Sequence, residues 1–301
     1  MECIDCAVIG AGPAGLNASL VLGRARKQIA LFDNKTNRNR VTQKSRGFIT
    51  RDGIKPEEFK KLGLDDLKKY PSVHYYEKTV STITKQSTGL FEIVTSDHTK
   101  YVAERVLLAT GIQEEFSSIP DVRGFYGKSL FSCPYCDGWE LKEQPLIIIS
   151  ENEDYTLHMT KLVYNWSTDL VIATNGNELS KPVMDELCNK NIRVITEHIR
   201  ALHGKGGYLN QVEFRSGLHI ERSGGFIVPS FFRPNQFMEQ LGCELQNNAT
   251  FVIDDFGRTS EKNIYLAGET TIQGPSSLII AASQGNKAAI AINSDITDER
   301  F

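Results

Sequence analysis

The chain has 301 residues and a formal net charge of −3, long enough for two compact domains and with no basic stripe to suit nucleic acid or an anionic membrane. No apolar run reaches the roughly 20 residues of a membrane helix, and no basic segment precedes the first apolar stretch as in a signal peptide, so the cytoplasm is the expected location. Six cysteines are too few to staple a chain of this length.

Cys6-Ala7-Val8-Ile9 is an apolar run closed by glycine and predicts a buried strand. Gly10-Ala11-Gly12-Pro13-Ala14-Gly15 follows, and a helix is expected from about Leu16 to Arg26. Gln28 to Phe32 predicts a second strand, ending at Asp33, so the chain opens as a βαβ unit. Asn34 to Gly53 reads as a loop and Pro56 to Lys69 as a charged helix. Tyr75 to Val102 alternates, as in Phe91-Glu92-Ile93-Val94, and predicts an antiparallel meander. Val106-Leu107-Leu108-Ala109 is another buried strand running into Thr110-Gly111.

A second unit is expected from about Glu114. It holds Cys133-Pro134-Tyr135-Cys136, a strand at Pro145 to Ile149, a helix at Tyr155 to Trp166 and a strand at Leu170 to Ala173. The chain leaves this unit near Gly225 to Pro234. It closes with a strand at Asn263 to Gly268 and an Ala-rich helix at Ser277 to Ile292. The repeated strand-helix-strand order predicts an α/β fold with two tandem Rossmann-like three-layer domains.

The first glycine cluster has the context of a dinucleotide fingerprint: a strand before, a helix after, and an acid at the end of the next strand. Gly10 permits the tight turn, Gly12 lets backbone approach a pyrophosphate, and Gly15 allows close helix packing. Asp33 suits ribose hydroxyls. The fingerprint alone does not separate FAD from NAD.

Disulfide exchange needs a thiolate and a second sulfur that resolves the mixed disulfide. Cys133 and Cys136 meet that need, a following helix N-terminus favours the thiolate, and Asp137 is placed to shuttle a proton. The alternative is half of a zinc site, which wants four ligands. The only second pair, Cys3 and Cys6, enters a strand, where residues three apart point to opposite faces. No metal-ligand set is therefore expected. Cys3 reads as a solvent-side residue, Cys6 as core, and Cys188 and Cys243 as semi-buried thiols.

Four segments stand in the order found in low-molecular-weight thioredoxin reductases, and the chain resembles that family and its dithiol-oxidase relatives over nearly its whole length. They are Gly10 to Gly15, Leu108 to Gly111, Cys133 to Gly138 and Ile264-Tyr265-Leu266-Ala267-Gly268-Glu269. The resemblance implies an FAD domain made of both chain ends, 1–113 and 234–301, with a pyridine-nucleotide-type domain, 114–233, inserted between. It places Gly10, Gly12, Pro13, Ala14, Gly15, Asp33, Asn39, Val80, Ala109, Thr110, Gly111, Gly268, Glu269, Ser277 and Leu278 around FAD. Family members carry Asp where this chain has Glu269, one methylene longer. By the same match, Cys136 exchanges electrons with the flavin, Cys133 attacks the substrate disulfide, and Asp137 is the acid of the reductases, where dithiol oxidases more often carry His. A homodimer is implied, with a thioredoxin-like protein or small-molecule disulfide as partner.

One expected part is missing. After the strand ending at Ile149, Ser150-Glu151-Asn152-Glu153-Asp154 has no glycine and three carboxylates, and Thr174-Asn175-Gly176-Asn177 has no arginine for a 2′-phosphate. NADPH is therefore not expected as the normal donor; ferredoxin or a second flavin would serve. A dithiol oxidase that uses oxygen, or a flavin-bound redox sensor without rapid turnover, are the alternative functions.

Overall fold

The computed structural model describes residues 3–116, 119–246, 250–271 and 276–301. The first stretch contains β1 (Cys6–Ile9), α1 (Pro13–Arg24), β2 (Ile29–Phe32), α2 (Pro56–Leu67), β3 (Val73–Tyr76), β4 (Val80–Lys85), β5 (Phe91–Thr95), β6 (Lys100–Ala103), β7 (Val106–Leu108) and β8 (Gln113–Glu115). The middle contains α3 (Val122–Phe125), β9 (Leu130–Phe131), α4 (Pro134–Asp137), β10 (Leu146–Ile149), α5 (Glu153–Val163), β11 (Leu170–Ala173), α6 (Lys181–Cys188), β12 (Arg193–Ile195), β13 (Ile199–Lys205), β14 (Tyr208–Phe214), β15 (His219–Glu221) and β16 (Gly224–Ile227). The chain ends with β17 (Ser230–Phe232), α7 (Phe237–Gln240), β18 (Ile264–Leu266) and α8 (Leu278–Arg300). It divides into two compact units: residues 1–40, 47–113 and 232–301, and residues 41–46 and 114–231.

The first unit is built on a parallel sheet in the order β18-β7-β1-β2-β3. Its strands β1, β2, β7 and β18 are buried along their whole length, as parallel strands covered on both faces must be. One face packs on α1 and α8 and the other on the meander β4-β5-β6. The second unit repeats the theme with a parallel sheet in the order β12-β11-β10-β16-β9, and adds the antiparallel sheet β13-β14-β15.

Three differences from the sequence expectations have local causes. Helix α1 starts at Pro13, three residues before the expected Leu16, because proline fits the first helical position without losing a hydrogen bond. Tyr75 and Tyr76 lie in β3, which pairs in parallel with β2, so the meander begins at Val80. An edge strand with one covered face imitates the alternation of a hairpin. Helix α8 continues past Ile292 to Arg300. Its last turns are polar yet anchored: Asp295 accepts from Arg258 Nη2 at 2.8 Å and from Tyr265 Oη at 2.6 Å, while Glu299 pairs with the buried Arg105.

The α1–α8 contact is made by small residues. A Cβ on Gly285 would lie 2.0 Å from the Ala14 carbonyl oxygen, which explains the Ala-rich composition of α8. Gly285→Ala is expected to destabilise the protein by about 1–3 kcal/mol through overpacking. Thermal unfolding of the holoprotein checks this; an unchanged midpoint would mean that the two helices separate without cost.

Candidate functional site

The fingerprint turn of the first unit is held by backbone. Gly10 adopts φ +110°, and its N–H donates to the Phe32 carbonyl at 2.8 Å. A Cβ at Gly10 would stand 2.3 Å from the Ala109 oxygen, and one at Gly15 would stand 1.8 Å from the Gly10 oxygen. Only glycine satisfies both positions. Gly12 differs: nothing lies within 4 Å of a Cβ built there. It caps α1 without a side-chain hydrogen bond, and the first turn of α1 carries no acid. The open N–H groups and positive dipole end of this helix are left for an anion.

The surrounding residues converge on this strand edge. Asp33 is buried; its Oδ1 accepts from Ala11 N at 3.3 Å, and its Oδ2 is engaged by Lys60 and by Tyr75 Oη. Lys60 and Tyr75 thus hold the Asp33 carboxylate in place. Lys60 lies on a charged helix and carries no sequence signal beyond that. Val80 and Ala109 are buried at strand ends. Gly111 N–H donates to Thr270 Oγ1 at 2.8 Å. Gly268 adopts φ +72° at the end of β18, and Thr271 Oγ1 donates to its carbonyl at 3.0 Å.

Glu269 is gripped by Arg38, whose Nε lies 3.1 Å from Oε2 and whose Nη2 contacts Oε1; Ser276 completes the cluster. The extra methylene therefore reaches a guanidinium in the 3-10 turn Arg38–Val41, which also holds Asn39. Asn39 accepts from Asn37 Nδ2 at 2.7 Å. Ser277 caps α8, its Oγ accepting from Ile280 N at 3.3 Å, and Leu278 begins that helix. Arg38 went unnoticed in the sequence, where it is one of several arginines in a polar loop.

These residues fit FAD on two observations. The space over Gly12 is open where a pyrophosphate needs backbone, and Thr110 Oγ1 is buried with no hydrogen-bond partner in the structure, an orphan group that a cofactor atom satisfies.

In the second unit Cys133 and Cys136 form a disulfide with a Cα–Cα distance of 5.3 Å. Cys133 caps the short helix α4, and Cys136 N–H donates to the Cys133 carbonyl at 3.1 Å. Pro134 fixes the first helical position. Tyr135 and Trp139 are exposed, and Tyr135 stands edge-on to Trp166 with ring centroids 6.1 Å apart. Trp166 in turn fits against Gly138, where a Cβ would come within 2.7 Å of the indole.

Asp137 follows directly. Burial pushes its carboxyl up to about 7, with Glu140 adding to the rise and Arg46 opposing it. Arg46 and Glu140 pair at 2.6 Å. Arg46 comes from the short stretch 41–46 that clusters with this unit, a placement no sequence pattern announces.

The turn after β10 is unlike the turn after β1. Asn152 caps α5, its Oδ1 accepting from Tyr155 N at 3.1 Å. Glu153 and Asp154 fill the first turn. Glu151 accepts from Asn175 Nδ2 at 2.6 Å, and Glu153 accepts from the Ser180 N–H that opens α6. The helix end is capped, acidic and bonded to its neighbours.

One unit with an open glycine turn and another that carries a Cys-x-x-Cys disulfide, in a single chain, define the class of flavoprotein disulfide oxidoreductases. The pyridine nucleotide-disulphide oxidoreductase family model matches residues 4–285, and the chain belongs to that family as a thioredoxin reductase-like, flavin-dependent enzyme. The Bacillus anthracis protein assigned as thioredoxin reductase TrxB is 87% identical, with 99% of this chain and 100% of that one covered and a TM-score of 0.97. An oxidoreductase of Agrobacterium tumefaciens is 30% identical, with coverage of 98% and 99% and a TM-score of 0.90. The thioredoxin reductase aclD of Aspergillus oryzae is 27% identical over 98% of both chains. No helix among the described residues is long and apolar enough to cross a membrane.

The raised Asp137 carboxyl is directly measurable. In the oxidised protein, carboxyl NMR is expected to give a titration midpoint near about 7. Glu140→Gln should lower that midpoint, because it removes a like charge and frees Arg46. A midpoint near 4 in the wild-type protein would refute the assignment.

Proposed function

We propose that this enzyme is a disulfide reductase that works through Cys133 and Cys136 and does not use NADPH as its normal donor. The observation that carries the donor reading is the N-terminus of α5. Asn152 already accepts from one of its orphan donors, the Tyr155 N–H, and Glu151, Glu153 and Asp154 would repel a pyrophosphate. The absence of arginine at Thr174 to Asn177 removes the partner of a 2′-phosphate. A ferredoxin-type protein or a second flavin remains the class of donor that fits.

FAD held at the Gly10 to Gly15 turn and reduced by the donor would supply the electron pair for reduction of the Cys133–Cys136 disulfide. The reduced Cys133 thiolate attacks one sulfur of the substrate disulfide, whose S–S bond breaks as the Cys133 mixed disulfide forms. Asp137, whose carboxyl burial raises to about 7 so that its acid form is populated at neutral pH, gives its proton to the leaving thiolate. The Cys136 thiolate then attacks Cys133 Sγ, restores the internal disulfide and releases the second substrate sulfur as a thiolate, which takes its proton from solvent. The disulfide of a thioredoxin-like protein or a small molecule is the substrate class. An acid at position 137, where dithiol oxidases more often carry histidine, favours this direction over disulfide formation with oxygen.

Anaerobic titration tests the donor. NADPH at about micromolar concentration is expected to leave the flavin oxidised over minutes, whereas dithionite bleaches it. Rapid stoichiometric bleaching by NADPH would overturn the reading.

The proton donor gives a separate outcome. With chemically reduced enzyme and a disulfide substrate, the rate of substrate reduction should fall as pH rises through about 7, because the acid form of Asp137 is lost there. Asp137→Asn should lower the rate by about 10²–10⁴-fold and remove that limb of the profile. A profile unchanged in the variant would exclude Asp137 as the donor.

A further inference from the structure

The antiparallel sheet β13-β14-β15 has one covered and one open face. Leu202, Val212 and Phe214 point into the core of the second unit and are buried. The other face presents His203, Gln211, Glu213 and His219, one or two from each strand. The strand register sets them together: His203 stands opposite Gln211, and Glu213 opposite His219. Glu213 also faces the small Ala201, and a register shift directly follows His203. Irregularities of this kind re-aim a side chain.

His203, Glu213 and His219 each offer an atom within 4.8 Å of the others. His203 Nε2 lies 2.8 Å from Glu213 Oε2. Ligands at about 2.0–2.1 Å on a tetrahedron stand roughly 3.3 Å apart, so only small side-chain movements separate this cluster from a coordination sphere. The tautomers suit the same purpose. His219 Nδ1 lies 2.9 Å from Gln211 Oε1, and donation of that N–H to the amide oxygen leaves Nε2 as the bare ligand atom. This arrangement, in which the second ring nitrogen is held by an outer acceptor, is the one metal-binding histidines use. Arg200 holds the other oxygen of Glu213 at 3.0 Å, which leaves Oε2 for a cation.

We propose that His203, Glu213 and His219 form a surface site for a divalent cation of the zinc class, with two imidazole nitrogens and one carboxylate oxygen as ligands and water completing the sphere. Two nitrogens and one oxygen on a rigid sheet suit zinc rather than magnesium or calcium, which take oxygen ligands.

The test uses the oxidised FAD holoenzyme, stripped with chelator and dialysed against Zn²⁺ at about micromolar concentration and neutral pH, with bound metal counted by elemental analysis. Keeping the Cys133–Cys136 disulfide closed removes the competing thiolate pair. One zinc per chain is expected. His203→Gln with His219→Gln should lose it, and Glu213→Gln should weaken binding by about tenfold or more. The side chains of His203 and His219 are exposed on this face, so the double variant should fold, and an unchanged flavin spectrum checks it for all variants. Failure of the wild-type protein to retain zinc would overturn the proposal. So would equal retention by the double variant, which would assign the metal to other groups such as the exposed thiols of Cys3 and Cys188.

Discussion

An α-helix begins with backbone N–H groups that have no partner inside the helix, and the two units of this chain answer that demand in opposite ways. In the first, Gly12 caps α1 with no side chain, no acid follows, and a proline occupies the first helical position. The helix end therefore stays electropositive. In the second, Asn152 caps α5 and two acids follow. The same strand-turn-helix geometry thus leaves the helix end open in one unit and makes it capped and acidic in the other. What decides is a handful of side chains, because the backbone dipole is the same in both.

The open turn places strict demands on its neighbours. Gly10 and Gly15 exist because the β1–α1 turn runs against the Ala109 carbonyl and folds back on itself within 2.3 Å and 1.8 Å of any added Cβ. Helix α1 lies close to its sheet and α8 close to α1, with Gly285 against Ala14, so the turn and both helices form one tightly packed region. Charges complete it indirectly. Lys60 steadies Asp33 and Arg38 steadies Glu269, so both acids are oriented by cations from elements outside the turn.

Much of this was readable in the sequence, and the unreadable part has a common cause. Strand and helix order, the glycine turn and the disulfide pair are local features, written in consecutive residues such as Gly10 to Gly15 and Cys133 to Cys136. The parallel pairing of β3 was hidden because Tyr75 and Tyr76 alternate like a hairpin strand while pairing with β2. Arg38, Lys60 and Arg46 act through partners 231, 27 and 94 residues distant, counted from Glu269, Asp33 and Glu140, and no short pattern encodes such contacts. The His203, Glu213 and His219 cluster is hidden for a related reason. It belongs to three strands, and only their register brings it to one face. A search of the sequence for close ligand spacing finds nothing there.

The closed turn also bears on why the second unit keeps a nucleotide-type sheet at all. The segment from β9 to β10 carries the disulfide, so the sheet is its mount. Leu130 and Phe131 anchor the entry and Leu146 to Ile149 the exit, all buried. Between them Gly138 admits Trp166, and the Glu143 N–H donates to the Trp166 carbonyl at 2.8 Å. Helix α4 is only four residues long and has too few internal hydrogen bonds to stand alone; its geometry is imposed by that mount. Burial of Asp137, and with it the raised carboxyl, depends on the same packing. The second unit therefore needs its sheet for the dithiol alone, because the geometry of Cys133, Cys136 and Asp137 is set by the strands on either side of a loop too short to hold itself, while the helix that follows β10 meets one of its own end N–H groups through Asn152.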